Sequence, residues 1–155
     1  MGIKILKQYQ TDAVEELINY SEKLLRKNRE KQTIVFQSPT GSGKTFMMGS
    51  FMEQLINEMP NEDLCFLWIS IGVGELHKQS YNSLKNNYNG FPDVYLLEEE
   101  FFGSRQTINK NEVVVVNWDK LNQKDRKTNE WKSTLMKDKE STNFRELVKN
   151  TKESG

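Results

Sequence analysis

The sequence predicts an α/β domain built on a mainly parallel β-sheet flanked by helices. Three observations lead there. Short β-branched and aromatic runs alternate with segments whose apolar residues recur at helical spacing. One of those runs, "LCFLWIS" (Leu64 to Ser70), is continuously apolar, as a parallel strand buried on both faces should be. A glycine-rich turn joins another such run directly to a helical segment. Strand, helix, strand, helix, strand is the pattern of βαβ units, whose crossovers are right-handed.

The first element is a helix over Thr11 to Arg26, where Ala13, Val14, Leu17, Ile18, Ser21, Leu24 and Leu25 share a face. Asp12 is placed to cap it, with Glu15 three residues on. The charged linker "RKNREKQ" leads to "TIVFQ" (Thr33 to Gln37), a short run suited to a buried strand. After the glycine turn, Phe46, Met47, Phe51, Met52, Leu55, Ile56 and Met59 mark a helix that Pro60 and Asn61 stop. The strand Leu64 to Ser70 follows, then a turn over Ile71 to Gly74. Leu76, Ser80, Leu84 and Tyr88 mark a third helix. "VYLL" (Val94 to Leu97) and "VVVVNW" (Val113 to Trp118) are the remaining candidate strands. Residues 1–122 form the expected core. Residues 123–155 are a polar, mildly basic helical tail anchored by Trp131, Leu135, Met136, Phe144, Leu147 and Val148.

Composition removes several classes. A chain of 155 residues holds one domain with a respectable core. The formal net charge is zero, so no global field attracts nucleic acid or membrane, although a local strip of contacts stays open. No stretch of about 18 or more apolar residues would span a bilayer. The opening "MGIKILKQYQ" lacks the core of a secretory signal, and Leu6 stands where a myristoylation signal wants Ser or Thr. The single cysteine, Cys65, cannot form an internal disulfide, which fits a reducing, cytoplasmic setting.

The stretch "SPTGSGKT" (Ser38 to Thr45) carries the chemistry. It matches the strand–GxxxxGK[ST]–helix pattern except that Ser38 replaces the first glycine. Gly41 and Gly43 let the backbone curl so that successive amides, from Thr40 and Ser42 onward to Phe46, surround an anion, with Pro39 at the start of the loop lining it without a donor. The following helix directs its positive end at the same point. Lys44 reaches the β- and γ-phosphates, and the Thr45 hydroxyl is offered to Mg²⁺. The bland alternative, a glycine turn with an accidental lysine, does not explain the flanking strand and helix.

With its surroundings, this loop resembles motif I of superfamily 2 helicases and translocases. "LKQYQTDAVEEL" (Leu6 to Leu17) is similar to the segment that precedes motif I there. The resemblance implies that Gln10 hydrogen-bonds the adenine edge of ATP, with Tyr9 packing close by. An amide offers adenine both a donor and an acceptor. "FLWISIGVGELHKQSYNSL" (Phe66 to Leu84) resembles motif Ia, implying that Gly72, Val73, Gly74 and Glu75 touch a nucleic-acid backbone. "VVVVNWDKL" (Val113 to Leu121) and the tail resemble the helicase subunits of type III restriction enzymes. The implied molecule is the first RecA-like lobe of an ATP-dependent DNA translocase, with ATP and Mg²⁺ as cofactors. DNA and a modification (methyltransferase) subunit are its implied partners.

The family's motif II, an Asp-Glu-x-His that orients Mg²⁺, does not occur in the sequence. Glu98 and Glu99 follow an apolar stretch but read better as a solvated acidic turn. Asn117 stands where a magnesium-binding aspartate would sit, and Asp119 lies two residues later. The expectation is therefore an N-terminal, truncated lobe that binds nucleotide and hydrolyses it poorly. His77 and Cys65 do not make a metal site. Trp68 belongs to a core strand, and Trp118 and Trp131 suit packing better than stacking on bases. Other readings are an RNA helicase or chromatin-remodelling-like translocase, a non-motor P-loop kinase or switch, and a non-catalytic nucleotide-binding module.

Overall fold

The computed structural model describes residues 5–27, 31–72, 74–100, 105–121, 127 and 144–154. They fall into two compact units, Met1–Glu62 and Asp63–Gly155, each described by itself.

The first unit pairs two helices, α1 (Gln8–Lys27) and α2 (Lys44–Glu58). Val14, Leu17 and Ile18 of α1 are buried, and Arg26 and Lys27 in its last turn complement the helix dipole. Helix α2 buries Met47, Phe51, Met52, Leu55 and Ile56, so Met47 and Met52 serve packing, while Met48 is half-buried. Its end is closed by Met59, whose amide donates to the Leu55 carbonyl at 3.0 Å before Pro60.

Two expectations fail in this unit. Helix α1 starts at Gln8, three residues before Thr11, and Asp12 does not cap it. The amides of Gln10 and Thr11 both donate to the Lys7 carbonyl at 2.9 Å, so Lys7 is the boundary residue. Gln10 sits three positions on, and its Oε1 accepts from the Lys7 amide at 2.9 Å. That is one half of a capping box, supplied by glutamine. Asp12 instead accepts from the Gln8 side chain at 2.8 Å.

The expected strand at Thr33 to Gln37 is not formed. Its residues have β-branched, aromatic character, yet a strand exists only through a hydrogen-bonded neighbour. In this unit the described elements other than this segment are helices, and Val35 is 85% exposed. Propensity is present here without a partner.

The second unit is a three-stranded parallel sheet in the order β1–β3–β2. Its strands are β1 (Phe66–Ser70), β2 (Asp93–Leu96) and β3 (Glu112–Asn117). Phe66 is opposite Val113 and Ser70 opposite Asn117, while Asp93 is opposite Glu112. Between strands come α3 (Leu76–Asn87) and α4 (Leu97–Glu100); α5 (Trp118–Leu121) and α6 (Phe144–Ser154) follow. Strand β3 is central, and all its residues are buried. Strand β1, expected to be covered on both faces, lies at an edge; Ile69 is 42% exposed and its neighbours are half-buried. The apolar run forms a strand, but the central place in the sheet belongs to the valines of β3.

One face of the sheet packs Leu97, Ile108, Val114, Val116 and Leu147 into a core that Cys65, Leu67, Tyr95 and Phe144 border. Leu147 brings α6 onto this core, and Thr151 fixes it by accepting from the Ile108 amide at 2.9 Å. Burial pushes the Cys65 thiol up, with a smaller push from Glu112, so it behaves as the small core residue expected. At the start of β3 the buried Glu112 accepts from Arg105 and from the Asn109 amide. The tail anchors Trp131, Leu135 and Met136 lie outside the described residues.

Candidate functional site

The glycine loop, Ser38 to Thr45, is held by its own backbone and by the start of α1. The Ser42 amide donates to the Pro39 carbonyl at 3.2 Å, and the Ser38 and Ser42 hydroxyls share a hydrogen bond. Gly41 and Gly43 have φ of +79° and +86°, in the left-handed region that favours glycine. A Cβ on Gly41 would meet open space. At Gly43 it would lie 2.7 Å from Nε2 of Gln10. Pro39 and Thr40 are exposed, while Thr45 and Phe46 are half-buried in the first turn of α2.

Gly43 is the N-cap of α2 and offers its orphan amides no side-chain partner. Uncapped amides at the positive end of a 15-residue helix form a place suited to an anion. The exposed Lys44 ammonium lies over the loop, donating to the carbonyls of Ser38 at 2.7 Å and Pro39 at 3.2 Å. These donors, the open space at Gly41 and the cation fit a phosphate group.

The aromatic–glutamine pair meets this loop directly. Tyr9 Oη and Gln10 Nε2 both donate to the Ser42 carbonyl, at 3.1 and 2.8 Å. Gln10 is buried and bridges the Lys7 amide to the loop. One of its two amide hydrogens and one lone pair are left for another partner.

The second set of expected residues, Gly72 to Glu75, leaves the carboxyl end of β1, the edge at which open parallel sheets bind ligands. Gly72 and Gly74 have φ of +123° and +109°. Val73 lies outside the described residues. Glu75 is exposed at the N-cap of α3 and pairs with Lys78 at 3.1 Å.

The acidic run after β2 departs only in part from its expected solvated state: Glu99 is exposed, but Glu98 and Glu100 are half-buried and all three pair with side chains of α3. Glu98 accepts from His77 Nε2 at 2.8 Å and Glu99 pairs with Lys78 at 3.2 Å. Glu100 takes the Tyr81 hydroxyl at 2.8 Å, Lys85 at 3.3 Å and the Leu96 amide at 2.7 Å. Burial pushes the Glu100 carboxyl up, but the Leu96 amide, Tyr81 and Lys85 outweigh it and hold it below the ordinary range. The hydrogen bonds that Lys78 donates to Glu75 and Glu99 hold its ammonium above its ordinary value.

Sequence reasoning also missed a buried polar line. His77 is 1% exposed, and its Nδ1 lies 3.3 Å from Asn117 Nδ2. Asn117 Oδ1 in turn accepts from the Asp119 amide at 2.8 Å. The partners are 21 and 40 residues from His77, so no local spacing announced them. Among the described residues no group of three or more His, Cys, Asp or Glu could hold a metal ion. No described helix is long and apolar enough to cross a membrane.

The family model described as type III restriction enzyme, res subunit, matches residues 3–148. No curated protein and no solved structure matches the chain.

Proposed function

The chain belongs to the family of type III restriction enzyme res subunits, and on that premise we propose that it is the ATP-binding part of a DNA helicase or translocase. The family is of the helicase superfamily, and a small parallel sheet flanked by helices fits part of a RecA-like lobe. Type III restriction enzymes act on DNA together with a modification subunit, and their res subunits depend on ATP, typically with Mg²⁺. In our reading residues 1–155 are part of one ATP-binding domain, working with the same partners in the cytoplasm.

The observation that carries the proposal is the glycine loop: two left-handed glycines, an uncapped helix start and a lysine at the mouth. Amides of Gly41 to Phe46 and the Lys44 ammonium take the triphosphate, which requires Lys44 to exchange its two carbonyl partners for phosphate oxygens. The Thr45 hydroxyl is the protein's ligand to Mg²⁺. That ion, when bound, neutralises charge on the β- and γ-phosphates. Gln10 reads the adenine edge with its spare donor and acceptor while its other bonds hold the loop, and Tyr9 packs beside it. Gly72 to Glu75 carry a backbone contact to DNA.

Hydrolysis needs a positioned acid as well as a phosphate cradle. The sequence has no Asp-Glu-x-His, and Glu98 and Glu99 are engaged by His77 and Lys78. The purified chain is therefore expected to bind MgATP and turn it over poorly. Titrating ATP with Mg²⁺ while following phosphate release tests both halves. Lys44→Ala should weaken binding more than tenfold and leave stability within about 0.5 kcal/mol, since the side chain is exposed. Equal affinity in wild type and variant would refute the site. Fast lysine-dependent turnover would refute the missing acid.

A further inference from the structure

Asparagine is a thermolabile residue, and of the asparagines in the chain Asn89 alone is followed by glycine. Glycine has no Cβ, so nothing shields its amide nitrogen from the side chain that precedes it. Both residues are exposed, in the bend between the end of α3 at Asn87 and the start of β2 at Asp93. A Cβ built on Gly90 would meet nothing within 4 Å, so the space around this peptide is open. Among the described residues neither the Asn89 side chain nor the Gly90 amide has a hydrogen-bond partner.

Other asparagines supply the contrast. The amide that follows Asn87 is that of Tyr88, which donates to the Leu84 carbonyl at 3.0 Å and closes α3. The amide that follows Asn61 is that of Glu62, which donates to the Met59 carbonyl at 3.1 Å. Asn57, Asn82 and Asn150 lie inside helices, whose ladder takes the next amide. A nitrogen tied in this way must break its own hydrogen bond before it can turn toward the preceding side chain. At Gly90 there is none to break.

We propose that Asn89 is a site of spontaneous covalent modification, converting to isoaspartate and aspartate through a cyclic imide formed with Gly90. The Gly90 nitrogen gives up its proton to a solvent base and attacks Cγ of Asn89, forming a C–N bond. The Cγ–Nδ2 bond breaks, and Nδ2 leaves as ammonia with a proton returned from solvent. Water then opens the imide. Cleavage at the main-chain carbonyl of residue 89 leaves Gly90 joined through Cγ, which is isoaspartate; cleavage at Cγ restores the main chain as aspartate. No oxidant or reductant takes part. The formal net charge of zero becomes −1. The isoaspartate branch also lengthens the main chain of the bend by one methylene. Either carboxylate stands just past the C-terminal end of α3, the end whose dipole disfavours negative charge. The inference draws on none of the residues assigned to the nucleotide.

The test incubates the full chain at physiological temperature over a series of neutral to alkaline pH values. Products are resolved by anion exchange, located by tandem mass spectrometry and assayed as methyl acceptors for a protein isoaspartyl methyltransferase. An acidic form should accumulate with first-order kinetics, faster as pH rises, because the deprotonated nitrogen is the nucleophile. The change should map to Asn89, while Asn87, in the same tryptic peptide, stays intact. Asn89→Gln should abolish the acidic form, since its longer side chain closes the ring far less readily; the residue is exposed, so the variant keeps the fold. In urea Asn89 should convert at a similar rate, because the fold ties neither reacting group. An acidic form that maps to another asparagine, or that persists in Asn89→Gln, overturns the proposal. So does a folded chain that keeps Asn89 intact while the unfolded chain loses it. An acidic form that contains aspartate and accepts no methyl groups overturns the imide route.

Discussion

Replacing Gly43 by alanine adds one methyl group where the glycine loop touches Gln10. The new Cβ would sit 2.7 Å from Gln10 Nε2, closer than real contacts allow, on a residue with φ of +86°. The backbone cost of a left-handed alanine is about 1–2 kcal/mol, offset by about 0.4–1 kcal/mol from a less flexible unfolded chain. Gly41→Ala at φ +79° isolates that net cost, because its Cβ meets nothing within 4 Å. At Gly43 the methyl also pushes Gln10 off the Ser42 carbonyl, forfeiting a partly buried hydrogen bond of about 1 kcal/mol and leaving an amide short of a partner. Gly43→Ala should therefore cost about 1–2 kcal/mol more than Gly41→Ala. In urea melts followed by helical circular dichroism, that difference moves the midpoint by about 0.5–1 M. The double variant Gln10→Ala with Gly43→Ala should recover most of it, since the obstructing side chain is gone. Equal costs for the two glycines, or no recovery in the double variant, would refute the coupling between α1 and the loop.

Two further outcomes test the second unit. Glu100 has a carboxyl held below its ordinary value, so its contribution is complete above the unfolded value of about 4.3 and is lost as pH falls through the lower folded value. Amide exchange in α3 and α4 should accordingly rise below about pH 4, and Glu100→Gln should remove that acid dependence. Leu147 is fully buried against the sheet, so Leu147→Ala should cost about 2–5 kcal/mol in thermal or urea unfolding, whereas Val148→Ala, at 41% exposure, should cost under about 0.5 kcal/mol.

The parts of this molecule legible in its sequence are those decided locally. Helices α1 and α2 follow from apolar periodicity, and the glycine loop follows from residue types that few other conformations need. The strands β1, β2 and β3 were found within one or two residues for the same reason. What escaped depended on distant partners. Thr33 to Gln37 has the composition of a strand and lacks the neighbour that would make it one. Valines 113–116 became the centre only because β1 and β2 flank them. The glutamates of α4 looked solvated because their counterparts on α3 precede them by 15 to 21 residues. Gln10 is a mixed case. Its nearness to the loop was expected, but its cap on Lys7 arises from a helix start that Asp12 had disguised.

The docking of α4 on α3 changes what an approaching polyanion would sense. Three consecutive glutamates in a free turn would project a negative lobe well beyond the surface, screened over about 8 Å at physiological salt. Zipped against histidine, lysine and tyrosine, the same residues close their field lines within the protein and present short-range dipoles. Reversing Lys78 to glutamate would take away the partner of Glu75 and Glu99 and add a third negative charge beside them. A polyanion approaching the rim that α3 and α4 form would then associate more slowly, and most at low ionic strength. The zero net charge of the chain hides this arrangement. Electrostatic character here is set by which side chains are neighbours, so a one-residue change in α3 can retune the rim while composition stays nearly constant.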